Sequence, residues 1–133
     1  MALTLGQRKF LEERRFAVVG TINPDGSPHL AVMWYLIDDD DIVVNSAEGR
    51  LKDRNLARDP RMSVIIADGY SFVRIDGKAS IEHDQRIAQA DIRRLAVLNY
   101  GEAKADESVR ERFGKQHRIS YRLAIRRVYS DGV

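Results

Sequence analysis

"NSAEGRLKDRNLARDP" (residues 45–60) has the marks of a short helix between two strands. Ser46 stands at an N-cap position, and the residue before Pro60 is a natural stop. Leu51, Leu56 and Ala57 supply a little apolar surface, yet Arg50, Lys52 and Arg54 crowd the first turns. The unpaired N–H groups of a helix start carry a positive partial charge, so each basic side chain there costs roughly 0.3–1 kcal/mol. Asp59 at the far end also has the wrong sign for the dipole. Two readings stand at this point. The helix is a solvated surface element, or an anion such as a phosphate completes its N-terminus, accepting from backbone N–H groups and basic side chains together.

Strand patterns surround this stretch. Before it, residues 4–15 read as a helix capped by Thr4, and "RFAVVGTI" (15–22) as a strand. "NPDGSP" (23–28) is a tight turn, with Pro24 presetting one backbone angle and Gly26 free to take positive φ. "HLAVMWYLI" (29–37) is apolar on both faces and is expected to be a single central strand. "DDDD" (38–41) reads as a solvated hairpin loop, because a calcium loop needs spaced oxygens and a bend glycine. "IVVNS" (42–46) returns as the next strand.

After Pro60 come strands at 62–68 and 70–83, with Gly77 marking a bulge or bend in the longer one. Residues 84–101 form the clearest helix, capped by Asp84, carrying an apolar stripe and closed by Gly101. A shorter helix follows over 105–117. "RISYRLAIRRVY" (118–129) alternates as a strand: Ile119, Tyr121, Leu123 and Ile125 inward, Ser120, Arg122, Ala124 and Arg126 outward. Six strands, mostly in antiparallel neighbours with short turns, favour a closed or nearly closed small barrel. No βαβ rhythm and no G-x-G-x-x-G between strand and helix occurs, which speaks against a Rossmann domain.

The 133 residues suit one domain spanning 1–133, long enough for a core without disulfides. The chain has no cysteine, which excludes disulfides, thiolate metal sites and a Cys nucleophile. His29, His83 and His117 share no metal-ligand spacing. With 22 basic and 20 acidic residues the net charge of +2 does not demand nucleic acid, and no strand face interleaves aromatic and basic residues in the manner of RNA-binding sheets. No apolar run is long enough for a membrane span, and "MALTLGQRKF" lacks an apolar signal core; a cytoplasmic protein is expected.

No serine-hydrolase motif and no pair of buried acids is visible, so an enzymatic activity here calls for a cofactor. The strand at 31–36 offers a wall for a flat ring, with the basic helix start beyond it for a phosphate. Plain core packing is the other reading of Met33 and Trp34.

The order "PDGSPH", "AVMWY", "GRLKDRNLARDPRMSVII" resembles the split β-barrel flavin and deazaflavin oxidoreductases, the relatives of pyridoxamine-phosphate oxidase. Within them it is most similar to the small branch that uses the deazaflavin coenzyme F420. "R-x-K-x-R-N-L-x-R-D-P-R" is the most specific part, followed by a strand ending in "DG" and by "V-R-I-D-G-K-A". The likeness spans roughly residues 16–82, with a fainter match at 123–130.

The resemblance implies a mainly β fold with helices, a six-stranded antiparallel split β-barrel, and a homodimer with two cofactors at the subunit interface. It places the ring along Ala31, Val32, Met33 and Trp34. It places the phosphate and tail on Asn45, Ser46, Arg50, Leu51, Lys52 and Asn55, with Tyr70, Phe72, Arg126 and Arg127 as candidate contributions from the partner. It implies hydride transfer from reduced F420 to a small electron-poor organic substrate, with an FMN-binding relative of pyridoxamine-phosphate oxidase as the alternative. FMN-binding oxidases of the family carry a basic residue where this chain has Leu36, and the substrate-phosphate contacts expected near the C-terminus are not evident.

Overall fold

The structure, a computed structural model, describes residues 3–133. Thr4 caps α1 (Leu5–Glu12) through a complete capping box: its side chain accepts from the Gln7 N–H, and the Gln7 side chain accepts from the Thr4 N–H. α1 buries Phe10 and Leu11 on the barrel. Strands β1 (Ala17–Ile22) and β2 (Pro28–Met33) form a hairpin around the expected turn, with Gly26 at φ 87°. β3 (Leu36–Asp38) and β4 (Asp41–Ala47) form the second hairpin, turning at the aspartates. α2 (Leu51–Arg58) leads into β5 (Arg61–Asp68) and the long β6 (Ser71–Glu82). α3 (Gln85–Tyr100), capped by Asp84, and α4 (Glu102–Glu111) meet at Gly101, and a 3₁₀ turn (Phe113–Lys115) delivers the chain to β7 (Arg118–Ala124) and β8 (Arg127–Asp131).

All pairings are antiparallel, in the order β2-β1-β5-β6-β7-β4-β3, with β8 on β6. The sheet curls around one apolar core that includes Val19, Val44, Leu56, Ile75 and Tyr121, while a second cluster beneath α3 joins Leu36, Val43, Ile92, Leu95 and Phe113. This is the mainly β, curled split-barrel architecture expected. Among the described residues no helix is long and apolar enough to cross a membrane.

Two expected strands are each divided, so the described residues hold eight in place of six. The run 29–37 breaks at Trp34 and Tyr35, and its first half is an edge strand, not a central one. Its apolar outer residues Leu30 and Val32 are 66% and 71% exposed. The run 118–129 breaks at Ile125 and Arg126, where the chain leaves β4 and re-pairs with β6. Of the residues expected to face outward, Arg126 is exposed and Arg122 and Ala124 are half-buried, but Ser120 is buried, as is Arg118 before it, because α3 packs on that end of β7. The Asp38–Asp41 hairpin is present with Asp39 and Asp40 exposed as expected, while its two ends pair with Arg122: Asp38 accepts from it at 2.8 Å, and its carboxyl sits below the usual range for that reason.

Gly77 marks the expected bend. β6 pairs with β5 as far as Lys78 and with β7 from Ala79, so one strand serves both halves of the barrel. A Cβ at Gly77 would lie 2.9 Å from Cδ1 of Leu123, which is fully buried. Gly77→Val is expected to destabilise the fold by ~1–3 kcal/mol through overpacking. The denaturation midpoint, compared with Gly77→Ala as a smaller insertion, measures it; unchanged midpoints in both would show that Leu123 can move aside.

Candidate functional site

The helix start that the sequence singled out is built differently from its expected form. Ser46 lies in β4, and Arg50 occupies the N-cap position without any side-chain cap. The helix is not set wholly against its dipole. Asp53 stands in the first turn, accepting from the Gly49 N–H and from the Tyr121 hydroxyl, each at 2.8 Å, and Arg58 stands in the last turn. Asp59 caps the C-terminus and is held by Arg61. Basic character survives where it matters, because Arg50 and Lys52 turn away from Asp53 into a groove beside β2 and β4.

The groove has an inner and an outer chamber. The inner, ≈ 150 Å³, is lined by Val32, Met33, Trp34, Asn45, Ser46 and Lys52, with Ile92 and Leu95 of α3 behind them. The outer, ≈ 390 Å³, adds Phe16, Arg112 and Gln116. Arg50 and Arg118 border both. Trp34 is fixed from behind by edge-to-face contacts with Tyr100, 4.9 Å between ring centroids, and Phe113, 6.4 Å.

Seven of the ten expected site residues therefore come together here, and three do not. Ala31 is half-buried against the core. Leu51 faces away from both chambers. Asn55 is wholly buried, its amide donating to Thr21 Oγ1 at 3.1 Å and Asn23 Oδ1 at 3.0 Å, so it ties α2 to the β1–β2 hairpin and lines neither chamber. Tyr70, Phe72, Arg126 and Arg127 do not line the groove of their own chain. Leu36 packs beneath α3, so it offers the groove neither a charge nor a contact.

The sequence reading missed the most constrained residue of the site, Arg118, which is 6% exposed. Its Nε donates to Asn45 Oδ1 at 2.9 Å and its Nη1 to Gln116 Oε1 at 2.6 Å. The Asn45 amide nitrogen donates to Ser120 Oγ at 3.0 Å and to the Ala88 carbonyl at 2.9 Å, and the Ser120 hydroxyl donates to Asp91 Oδ2 at 2.7 Å. Asn45 thus orients Arg118 with both ends of its amide engaged. The signal was present as two polar residues, Arg118 and Ser120, at positions of a strand that a helix had to cover.

No carboxylate pairs with Arg50, Lys52, Arg112 or Arg118 among the described residues. Burial, then Arg50 and Arg112, pushes the Arg118 guanidinium down to about 10. Burial, then Arg50 and Arg118, also lowers Lys52. Four cations thus converge without a counter-charge, which disfavours their own charged state and is relieved by an anion.

Two larger clefts lie elsewhere. One, ≈ 1150 Å³ between α1, β3 and α3, mixes acids and bases in its lining, with Arg8–Glu12 and Arg15–Glu13 paired along its wall. The other, ≈ 720 Å³ at the Gly77 bend, has a basic rim but no aromatic wall. Size alone does not select a site; the uncompensated charge and the Trp34 wall favour the smaller groove.

Comparison with known proteins agrees with this architecture. A conserved hypothetical protein, Rv2991 from Mycobacterium tuberculosis, superposes with a TM-score of 0.76 at 26% identity, covering 98% of this chain and 85% of that one. A structure titled F420 Reductase gives 0.74 at 21% identity over 96% and 98%. HutZ from Vibrio cholerae, described as a heme storage protein, gives 0.72 at 18% over 99% and 96%. The last two show a shared fold. The sequence model described as pyridoxamine 5'-phosphate oxidase matches residues 4–130, nearly the whole length, and on that match the chain belongs to the pyridoxamine 5'-phosphate oxidase family.

Proposed function

We propose that the protein is an oxidoreductase that holds the deazaflavin F420 in the groove and uses it to reduce a small electron-poor organic compound, with FMN as the alternative cofactor. The observation that carries this reading is the convergence of Arg50, Lys52, Arg112 and Arg118 with no carboxylate beside a wall of Val32, Met33 and Trp34. A planar ring with an anionic side chain matches both halves of that surface. The outer chamber falls within the roughly 300–1,000 Å³ usual for such sites. Leu36 supplies no cation at the end of the ring-lining segment, which supports the deazaflavin over FMN.

When bound, the cofactor supplies a hydride from its central ring. The chain supplies position and charge. Lys52 and Arg50 neutralise the phosphate, Asn45 keeps Arg118 aimed at the groove, and the rigid Trp34 wall excludes water from one ring face. No side chain forms a covalent bond in this scheme.

The groove is open on the side of β2, and the reading includes a homodimer that closes it. Phe16, Leu30 and Val32 are 58%, 66% and 71% exposed, and Val18 and Ile65 continue the same row across β1 and β5. An uncovered apolar sheet face of this kind marks an interaction surface. The occupant is a second copy, because the exposed row runs into the rim of the groove that needs closing.

Purified protein is expected to bind F420 tightly and FMN weakly, read from ring fluorescence; equal failure of both rings would refute the proposal. Lys52→Ala is expected to weaken binding by ~1.5–3 kcal/mol, as for a charge-assisted contact. The empty variant is expected to melt no lower than the wild type, because burial and two neighbouring guanidiniums oppose the Lys52 charge in the folded state. That charge is held below its folded pKa, which is depressed from 10.5, so affinity should persist through neutral pH and fall on the alkaline side before an exposed lysine would titrate. Leu30→Glu is expected to convert a dimer of twice 15.2 kDa to a monomer in sedimentation and to weaken ring binding with it; a wild-type monomer would contradict the closed groove.

A further inference from the structure

The four cations of the groove form two pairs held by different means. Arg50 and Lys52 belong to the start of α2 and reach the inner chamber. Arg112 and Arg118 belong to the end of α4 and the start of β7 and meet in the outer chamber, which Arg50 also borders. The second pair is mounted on one ring: the Arg112 guanidinium lies 4.4 Å and that of Arg118 5.0 Å from the centroid of Phe113. Phe113 is itself buried, and the carbonyls of Phe113 and Gln116 are each held by Gln89 of α3 at 2.9 Å. Two like charges therefore share the Phe113 ring and border one chamber; the Arg118 guanidinium is held by the neutral acceptors Asn45 and Gln116, while Arg112 is exposed. Among the described residues Nη2 of Arg118 has no acceptor, and Arg112 has no ion-pair partner.

We propose that Arg112, Gln116 and Arg118 form a second anion subsite that takes a carboxylate of the compound held in the outer chamber. The charge count leaves room for a second anion. A phosphodiester such as that of F420 carries one negative charge and a monoester such as that of FMN about −1.5 to −2, so either leaves about two or more of the four positive charges over. A guanidinium held in place, Arg118, with a second one bordering the same chamber, suits a planar carboxylate, which accepts through both oxygens. The inference rests on the groove being the ligand site, but not on which ring occupies it. The carboxylate has two possible sources, an acidic tail of the cofactor or the substrate.

Arg112 is exposed, so Arg112→Gln removes one charge of the pair without touching the core. Wild type and variant are titrated with F420 bearing its glutamyl tail, with the tail-free phosphate form of the deazaflavin, and with FMN. They are also titrated with benzoate in the presence of saturating inorganic phosphate, read from Trp34 fluorescence. If the cofactor tail is the source, the variant loses 5-fold or more in affinity for the tailed form alone. If the substrate is the source, all ring compounds stay within twofold and the saturable benzoate response disappears in the variant. Wild type and variant that agree within twofold in every titration overturn the subsite. Should no ring compound bind the wild type, the cofactor reading falls, and the benzoate titration still decides the subsite by itself.

Discussion

A guanidinium buried without a carboxylate has to be held by neutral acceptors, and Arg118 imposes that condition on the α3 side of the barrel. Taking an unpaired ion out of water costs several kcal/mol even after relaxation. The structure limits that cost with the Asn45 and Gln116 side-chain carbonyl oxygens, and Asn45 is fixed in turn by Ser120 and the Ala88 backbone, with Asp91 behind Ser120. The chain of donors runs in one direction, from Arg118 through Asn45 and Ser120 to Asp91. Asp91, the one buried carboxylate among the described residues, therefore stands two side chains away from the cation it helps to orient, and the groove keeps its positive charge. Gln85 fastens the same strand start, accepting from the Arg118 N–H at 2.9 Å and donating to its carbonyl at 2.7 Å. α3 is thus more than a lid on apolar surface; its polar residues hold the charged wall of the groove in place.

Much of the barrel was legible in the sequence. Thr4, Asp84 and Gly101 announced helix ends by chemistry that acts over three or four residues, and Gly77 announced the bend because a residue without a Cβ lets β6 pass close to Leu123 without displacing it. The two strand breaks were not legible. Between Met33 and Leu36 the apolar run continues unbroken, and what divides it is tertiary: Tyr35 turns inward to donate to the Leu11 carbonyl at 2.6 Å. Likewise Ile125 donates to the Asp40 carbonyl at 2.8 Å, an accident of where the β3–β4 hairpin lies.

The groove was half legible. Lys52 and Arg50 stood out because basic residues at a helix start conflict with its dipole. Arg118, Gln116 and Arg112 did not, since their meaning depends on α3 covering β7 and on Phe113 arriving beneath two guanidiniums from a separate turn. Asn55 was misplaced for the converse reason. Its spacing from Lys52 is helical, but a buried amide goes where its hydrogen bonds are, and these lie in the β1–β2 hairpin. Family membership fixes the architecture and leaves the cofactor to be decided by such local details of charge.

The most direct measurement is a crystal structure of the protein grown with excess F420. The expected result is a dimer with the phosphate within hydrogen-bond distance of Lys52 and Arg50 and the ring against the segment from Val32 to Trp34. A groove filled by side chains of either subunit, with no room for a tricyclic ring, would contradict the account.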